Sequence, residues 1–282
     1  MQHKGLLYAY PSRAAFEAEG LSWRIRRDNG VKIEEWDEQT LRTRIPALGT
    51  NYRFGAFVSE GAHCPNTGRY VAAIVKAAEG LGVRLRGASV ASVLGGPCPR
   101  VVLGDGTCLT ADRIVIAAGV RSAQMLRPLG IGVPLESERG YHVTIPDAAA
   151  RFEIPIMPST GRMANTPTEM GLRLSGQVEL ASTDKAPNWR RAEVLRRHAW
   201  DTYPDLAPQN TPETKLWMGH RPSTPDGMPV IGAFAKEPNI IAAFGHGHVG
   251  IASAPITAEY VMRAVSGQGG LERAFLPSRF GA

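Results

Sequence analysis

The sequence predicts a mixed fold: an α/β part with parallel strands, and interleaved with it an α+β part built on a largely antiparallel sheet. Three observations predict it. Apolar runs at 113–118 (RIVIAA) and 240–244 each lead into a helical pattern, as buried parallel strands do. Between them, residues 141–181 show short strands and turns with no long helix. Glycine (31) and proline (21) are plentiful, which favours many turns over a helical bundle.

Taken in order, residues 5–10 (GLLYAY) read as a strand and the segment up to Arg27 as a helix. Residues 31–36 form a short strand, and Asp37 caps a helix that stops before Pro46. Residues 67–81 are periodic, with Val71, Ile74, Val75 and Ala78 on one helix face. Strands follow at 83–85 and 89–94. The runs 101–103 and 107–109 flank Gly104-Asp105-Gly106, a hairpin signal. Residues 113–118 read as a strand buried on both faces, with a helix starting near Ser122. Residues 189–202 are helical, 216–231 extended and broken by prolines, 240–244 a buried strand and 251–265 a helix. The parallel pieces thus lie at 67–129 and 229–266. No internal repeat or low-complexity segment interrupts the pattern.

Composition narrows the function classes. A chain of 282 residues can bury a sizeable core in one or two domains. Hydrophobic residues at 43% and charged residues at 21% are ordinary for a soluble protein. The three cysteines, Cys64, Cys98 and Cys108, are odd in number and form no CxxC, which points to a reducing compartment and a cytoplasmic location. No apolar run follows a basic head at the start, and none is long enough to cross a bilayer. The net charge is +6, with small clusters such as Arg24-Ile25-Arg26-Arg27. No helix-turn-helix, RNA-binding or zinc-finger pattern accompanies that charge, so nucleic acid is not an expected partner. The charge reads as a solvated face with some attraction to anionic lipid or an acidic substrate.

Gly245-His246-Gly247-His248-Val249-Gly250 is a GxGxxG between a buried strand and a helix. A dinucleotide fingerprint also needs a second strand ending in an acid. Residues 266–282 supply neither, so that reading is rejected. The turn still lets a flat or charged ligand approach the backbone, and its helix N-terminus favours negative charge. A tight turn packing strand on helix needs the same residues. His246 and His248 form a His-x-His without an adjacent acid or cysteine, so no metal site is expected.

The segment 219–232 (GHRPSTPDGMPVIG) precedes 243–251 (AFGHGHVGI) at close range. Together they resemble the C-terminal signature of the D-amino-acid oxidase superfamily, with D-amino-acid dehydrogenase as the closest branch and glycine-oxidase-like enzymes nearby. Residues 113–119 (RIVIAAG) with Val120-Arg121-Ser122 resemble its second flavin-contacting strand and turn. Glu138-Arg139-Gly140-Tyr141 resembles the strand that opens its substrate sheet, and 171–176 (GLRLSG) a paired strand of that sheet. The resemblance runs over nearly the whole chain from Gly5. It implies an incomplete FAD-binding, Rossmann-like domain (61–129 and 222–282) interleaved with a substrate-binding sheet domain (1–60 and 130–221). The family's opening strand–GxGxxG–helix unit, which holds the ADP half of FAD, has no counterpart before Gly5, so the sequence reads as truncated.

The resemblance also assigns roles. Arg221, in its Gly-x-Arg-Pro context, would grip a substrate carboxylate, which suits the planar two-pronged guanidinium. Tyr141 would hydrogen-bond or shield the substrate, or else fill the core. Ala117, Ala118 and Gly119 are small enough for a cofactor to lie against the backbone, though close strand–helix packing asks for the same residues. Val90 would offer its backbone to adenine. Gly245, His246, Gly247, His248, Val249, Gly250 and Ile251 would contact the flavin. The implied cofactor is FAD. The implied reaction is oxidation of a D-amino acid or related amine to a 2-oxo acid and ammonia, by hydride transfer to flavin. The alternative is a non-catalytic remnant, or one chain of a split flavoenzyme acting as an interaction module. The partners implied are an amino-acid or amine substrate, an N-terminal partner chain, and a quinone or respiratory-chain acceptor at the inner-membrane surface.

Overall fold

The computed structural model describes residues 1–148, 152–206 and 213–282. Residues 149–151 of the expected antiparallel block lie outside them. In chain order the elements are β1 (Leu6–Tyr10), α1 (Arg13–Glu17), α2 (Gly20–Asp28), β2 (Glu34–Trp36), α3 (Glu38–Arg44), β3 (Phe54–Val58) and α4 (Thr67–Gly80). Then come β4 (Val90–Leu94), β5 (Arg100–Leu103), β6 (Cys108–Thr110), β7 (Ile114–Ile116), α5 (Ser122–Leu126) and β8 (Glu136–Ile145). The rest are β9 (Ile156–Pro158), β10 (Ala164–Thr168), β11 (Gly171–Leu180), α6 (Arg190–Thr202), β12 (Lys215–Ser223), β13 (Val230–Ala233), β14 (Ile240–Phe244) and α7 (Gly250–Val265). They form two compact units. The first is Met1–Arg84, Gly140–Val178 and Ala186–Met218; the second is Leu85–Arg139, Glu179–Lys185 and Gly219–Ala282.

The strands of the first unit belong to an eight-stranded sheet of order β12-β8-β11-β10-β9-β1-β3-β2. β1 pairs antiparallel with β3, β2 with β3, and β10 with both β9 and β11. β1 and β9 run parallel, with Leu7 opposite Ile156. Alternating side chains of these strands bury Leu7, Ala9, Tyr141, Val143, Ile145, Leu172 and Leu174, against which α6 lays Ala192, Leu195 and Ala199. A second cluster joins Tyr10, Phe16, Trp23 and Phe54. It also breaks the single helix expected up to Arg27. The Tyr10 hydroxyl donates to Glu19 at 2.8 Å and accepts from the Trp23 indole N–H at 3.0 Å. Glu19 is held out of helical conformation, so the segment splits into α1 and α2.

The helix starts follow side-chain caps. Ser12, Asp37 and Asn66 each accept a backbone N–H three residues on, from Ala15, Thr40 and Arg69. The periodic face of α4 is present but uncovered: Val71 and Ile74 are 48% and 50% exposed, and no residue of α4 is buried. The strand expected at 83–85 does not form. Val83 and Leu85 are exposed and irregular, because a strand without a partner leaves its backbone groups unpaired.

The second unit holds two three-stranded sheets, β13-β14-β7 and β4-β5-β6. β14 and β7 are parallel, with Ile240 opposite Ile114 and Ala242 opposite Ile116. The hairpin between β5 and β6 is antiparallel, and its turn glycine, Gly106, has φ +84. Phe234, Ile240, Ala242, Phe244, Ile114, Ile116 and Leu126 share one core. The run at 113–118 was expected to be buried on both faces. Instead Ile114 and Ile116 face the core while Val115 is 41% exposed. The core of the second unit covers one face of β7 and leaves the other partly open.

Candidate functional site

β7 and β14 are parallel neighbours, so their carboxyl ends emerge on the same side of the sheet. β7 leads into Ala117-Ala118-Gly119, and β14 leads into the glycine turn. Ligands of α/β sheets bind outside the carboxyl ends of parallel strands. Gly119 has φ +57, and a Cβ built on it would meet no atom within 4 Å. Gly247 has φ +54, and its nearest neighbour would be the Ser223 hydroxyl at 3.8 Å. Both turns are therefore open to a ligand, and both hold left-handed conformations that favour glycine. Gly245 differs. At φ +84 its Cβ would lie 3.1 Å from the Thr224 methyl, which is a packing constraint.

The turn ends on α7, whose N-cap residue Val249 makes no side-chain cap. The first backbone N–H groups of this sixteen-residue helix therefore lack the usual side-chain acceptor. Val249 and Ile251 are 49% and 47% exposed beside it. His248 is exposed. His246 is turned inward, its Nε2 at 2.9 Å from the Thr257 hydroxyl, and burial lowers its pKa. An open glycine backbone, apolar side chains and an uncapped helix end suit the flat, partly apolar and negatively polarised ring system of FAD. Val90 opens β4, an edge strand, and is 37% exposed rather than buried in the core.

Arg221 lies on β12, next to this turn. Ser223 and His246 form an antiparallel bridge, and the Gly247 N–H donates to the Pro222 carbonyl at 2.9 Å. The backbone thus ties Arg221-Pro222-Ser223 to Gly245-His246-Gly247. The Arg221 guanidinium is 3.3 Å from the Glu138 carboxylate, and the Ser223 hydroxyl donates to the other Glu138 oxygen at 3.0 Å. Arg221 and Glu138 are only 22% and 24% exposed.

Around them, Arg139 is fully buried, paired with Glu179 at 3.7 Å and bonded to the Ser182 and Lys185 carbonyls. It fixes the segment Glu179–Lys185. His220 lies 2.8 Å from the Ser137 hydroxyl. Burial lowers its pKa, Arg139 and Arg121 add to the effect, and Asp184 opposes it.

The structure therefore brings together Arg221, the glycine turn and the Ala117–Gly119 corner in the second unit. Tyr141 belongs to the first unit and is 1% exposed in its hydrophobic core, with its hydroxyl accepting the Asn188 N–H at 2.9 Å. Glu138 and Ser223 fall inside segments that carry the resemblance, but the sequence assigns them no role. An acid between Ser137 and Arg139 on a strand looks like a solvated position, and only its pairing with Arg221 marks it.

Comparison with known proteins identifies the family. Residues 1–264 match the family model for FAD-dependent oxidoreductases (DAO). Over 271 residues the chain is 39% identical to a protein named D-amino-acid oxidase from Bradyrhizobium diazoefficiens, covering 95% of this chain and 64% of that protein. Over 274 residues it is 30% identical to a D-amino acid dehydrogenase of Methylobacterium radiotolerans, covering 95% of this chain and 65% of that one. It thus spans just under two thirds of the length of these relatives. The fold matches the crystal structure of glycine oxidase from Geobacillus kaustophilus with a TM-score of 0.84, over 99% of this chain and 75% of that chain, at 19% identity. With the family pattern running from residue 1 to residue 264, the chain belongs to the FAD-dependent oxidoreductase (DAO) family.

Proposed function

We propose that this chain takes part in the FAD-dependent oxidation of an amino acid, a D-amino acid or a close relative, to the imino acid, which water then converts to a 2-oxo acid and ammonia. The observation that carries the proposal is the backbone tie between Arg221 and the glycine turn. It sets a carboxylate-binding cation beside a surface suited to a flavin. FAD, when bound, supplies the acceptor for the two electrons lost by the substrate. The chain's own residues bind and orient. Arg221 takes the substrate carboxylate in a charge-assisted pair. The open backbone of Gly119 and Gly247 allows close approach, and the N-terminus of α7 favours negative charge on the ligand it faces. Fixing both partners in one geometry is the main contribution asked of the protein.

The test is spectroscopic and kinetic. The purified chain supplied with FAD should show protein-bound flavin bands that bleach when D-alanine is added without oxygen. Arg221→Met should leave those bands intact and raise KM by about a hundredfold, the cost of removing one partner of a partly buried charge pair. A colourless chain, or an unchanged KM in that variant, would sink the proposal.

A further inference from the structure

We infer that Glu138 makes this site selective for substrates that carry an amino group: Arg221 and Glu138 together form a charge pair complementary to the zwitterion of an α-amino acid. The inference rests on the reading of Arg221 as the carboxylate-binding residue and adds a second residue to that site.

The Arg221 guanidinium and the Glu138 carboxylate stand 3.3 Å apart, each mostly shielded from water. In an α-amino acid the ammonium nitrogen and the carboxylate carbon are about 2.5 Å apart. The two charges lie side by side, so a zwitterion laid head-to-tail against the pair meets an opposite charge at both ends. Its carboxylate faces Arg221 and its ammonium faces Glu138. The pair is held in place rather than loose. Ser223 donates to the second Glu138 oxygen at 3.0 Å and fixes the carboxylate plane. The Ser223–His246 bridge and the Gly247–Pro222 hydrogen bond fix that strand end to the glycine turn.

The same pair discriminates against acids without an amine. A simple carboxylate or a 2-hydroxy acid satisfies Arg221 but brings a second anion up to Glu138 with no positive charge to offset it. Arg221 alone would accept either class. Glu138 supplies the difference.

The test is anaerobic isothermal titration calorimetry on the purified chain supplied with FAD and reduced beforehand with dithionite, so that D-alanine binds without being oxidised; it compares D-alanine with propionate, which differ by the amino group. Wild type should bind D-alanine at least about tenfold more tightly than propionate, the worth of one charge-assisted hydrogen bond. In Glu138→Gln, D-alanine should weaken while propionate holds or tightens, so that the ratio falls to near one. Glu138→Asp, which keeps the charge, should retain most of the preference and serves if the Gln variant does not fold. An unchanged ratio in Glu138→Gln, or an equal loss for both ligands, would overturn the inference and reduce Glu138 to a support for Arg221. A wild-type chain that binds neither ligand would overturn the reading of Arg221 itself, and this inference with it.

Discussion

His142 shows what a single half-buried ring does to this fold. It stacks on Trp217 with ring centroids 4.7 Å apart and planes 14° off parallel. Its Nδ1 is buried without a hydrogen-bond partner among the described residues. Burial, and then the nearby Arg173 charge, push its pKa down to about 4. An unfolded chain binds that proton near the ordinary imidazole value of about 6.5. The native state therefore loses stability as pH falls from about 6.5 towards 4, and the contribution is complete above that window. Because the ring is only half-buried, the loss by pH 5 is about 1 kcal/mol after discounting for solvent screening. His142→Phe keeps the stack and removes the titration. Urea unfolding at pH 7 and pH 5 should then show a smaller gap for the variant than for wild type; an equal gap would place the acid sensitivity elsewhere. Residues of this kind differ in how far sequence exposes them. Arg221 was legible because glycine and proline flank it in a recognisable pattern. Tyr141 was ambiguous between site and core, and its place among Val143, Ile145 and Leu174 is a matter of strand phase. Glu138 was invisible, since its meaning depends on a partner 83 residues away.

The glycine turn is the element on which the site depends. Gly245 sits at φ +84 with the Thr224 methyl 3.1 Å from where a Cβ would go. Gly245→Ala should cost about 1–3 kcal/mol from the left-handed backbone and the crowding combined. It should also weaken FAD binding, because the Ser223–His246 bridge follows directly. A thermal melt and a flavin titration check both; an unchanged melt would mean that the turn relaxes freely. The next turn is held differently. Arg279 donates to both Asp226 carboxylate oxygens and to the Met228 carbonyl, closing the loop between β12 and β13 with the chain's last residues. The elements most legible in sequence were those with a strong period or cap: α3, α4, α6, α7 and the β5–β6 hairpin. The segment 83–85 alternates like a strand, but alternation does not supply a neighbouring ladder. The run at 113–118 is apolar throughout, and composition alone does not say that one face of β7 stays open.

At the scale of the whole chain, apolar side chains remain uncovered in both units. Val71 and Ile74 are exposed on α4 in the first unit, and Val115, Ile256 and Met262 in the second. Among the described residues β7 is also the last strand of its sheet. An edge strand with an apolar exposed face invites pairing with another chain. The purified chain should therefore associate as its concentration rises, and light scattering should show Val115→Lys associating less. Equal scattering by both would clear β7 of that role. Sequence patterning located these faces without revealing that they stay open, because periodicity reports which residues share a side and not what covers it. The parallel pairing of β1 with β9 carries a consequence in time. Leu7 meets Ile156, which leaves the ribosome roughly 150 residues later, so at ordinary translation rates β1, already able to pair with β3, waits on the order of ten seconds or more for this second neighbour. Through that interval the other edge of β1 is open, and the first unit closes only after its last segment, Ala186–Met218, has been made.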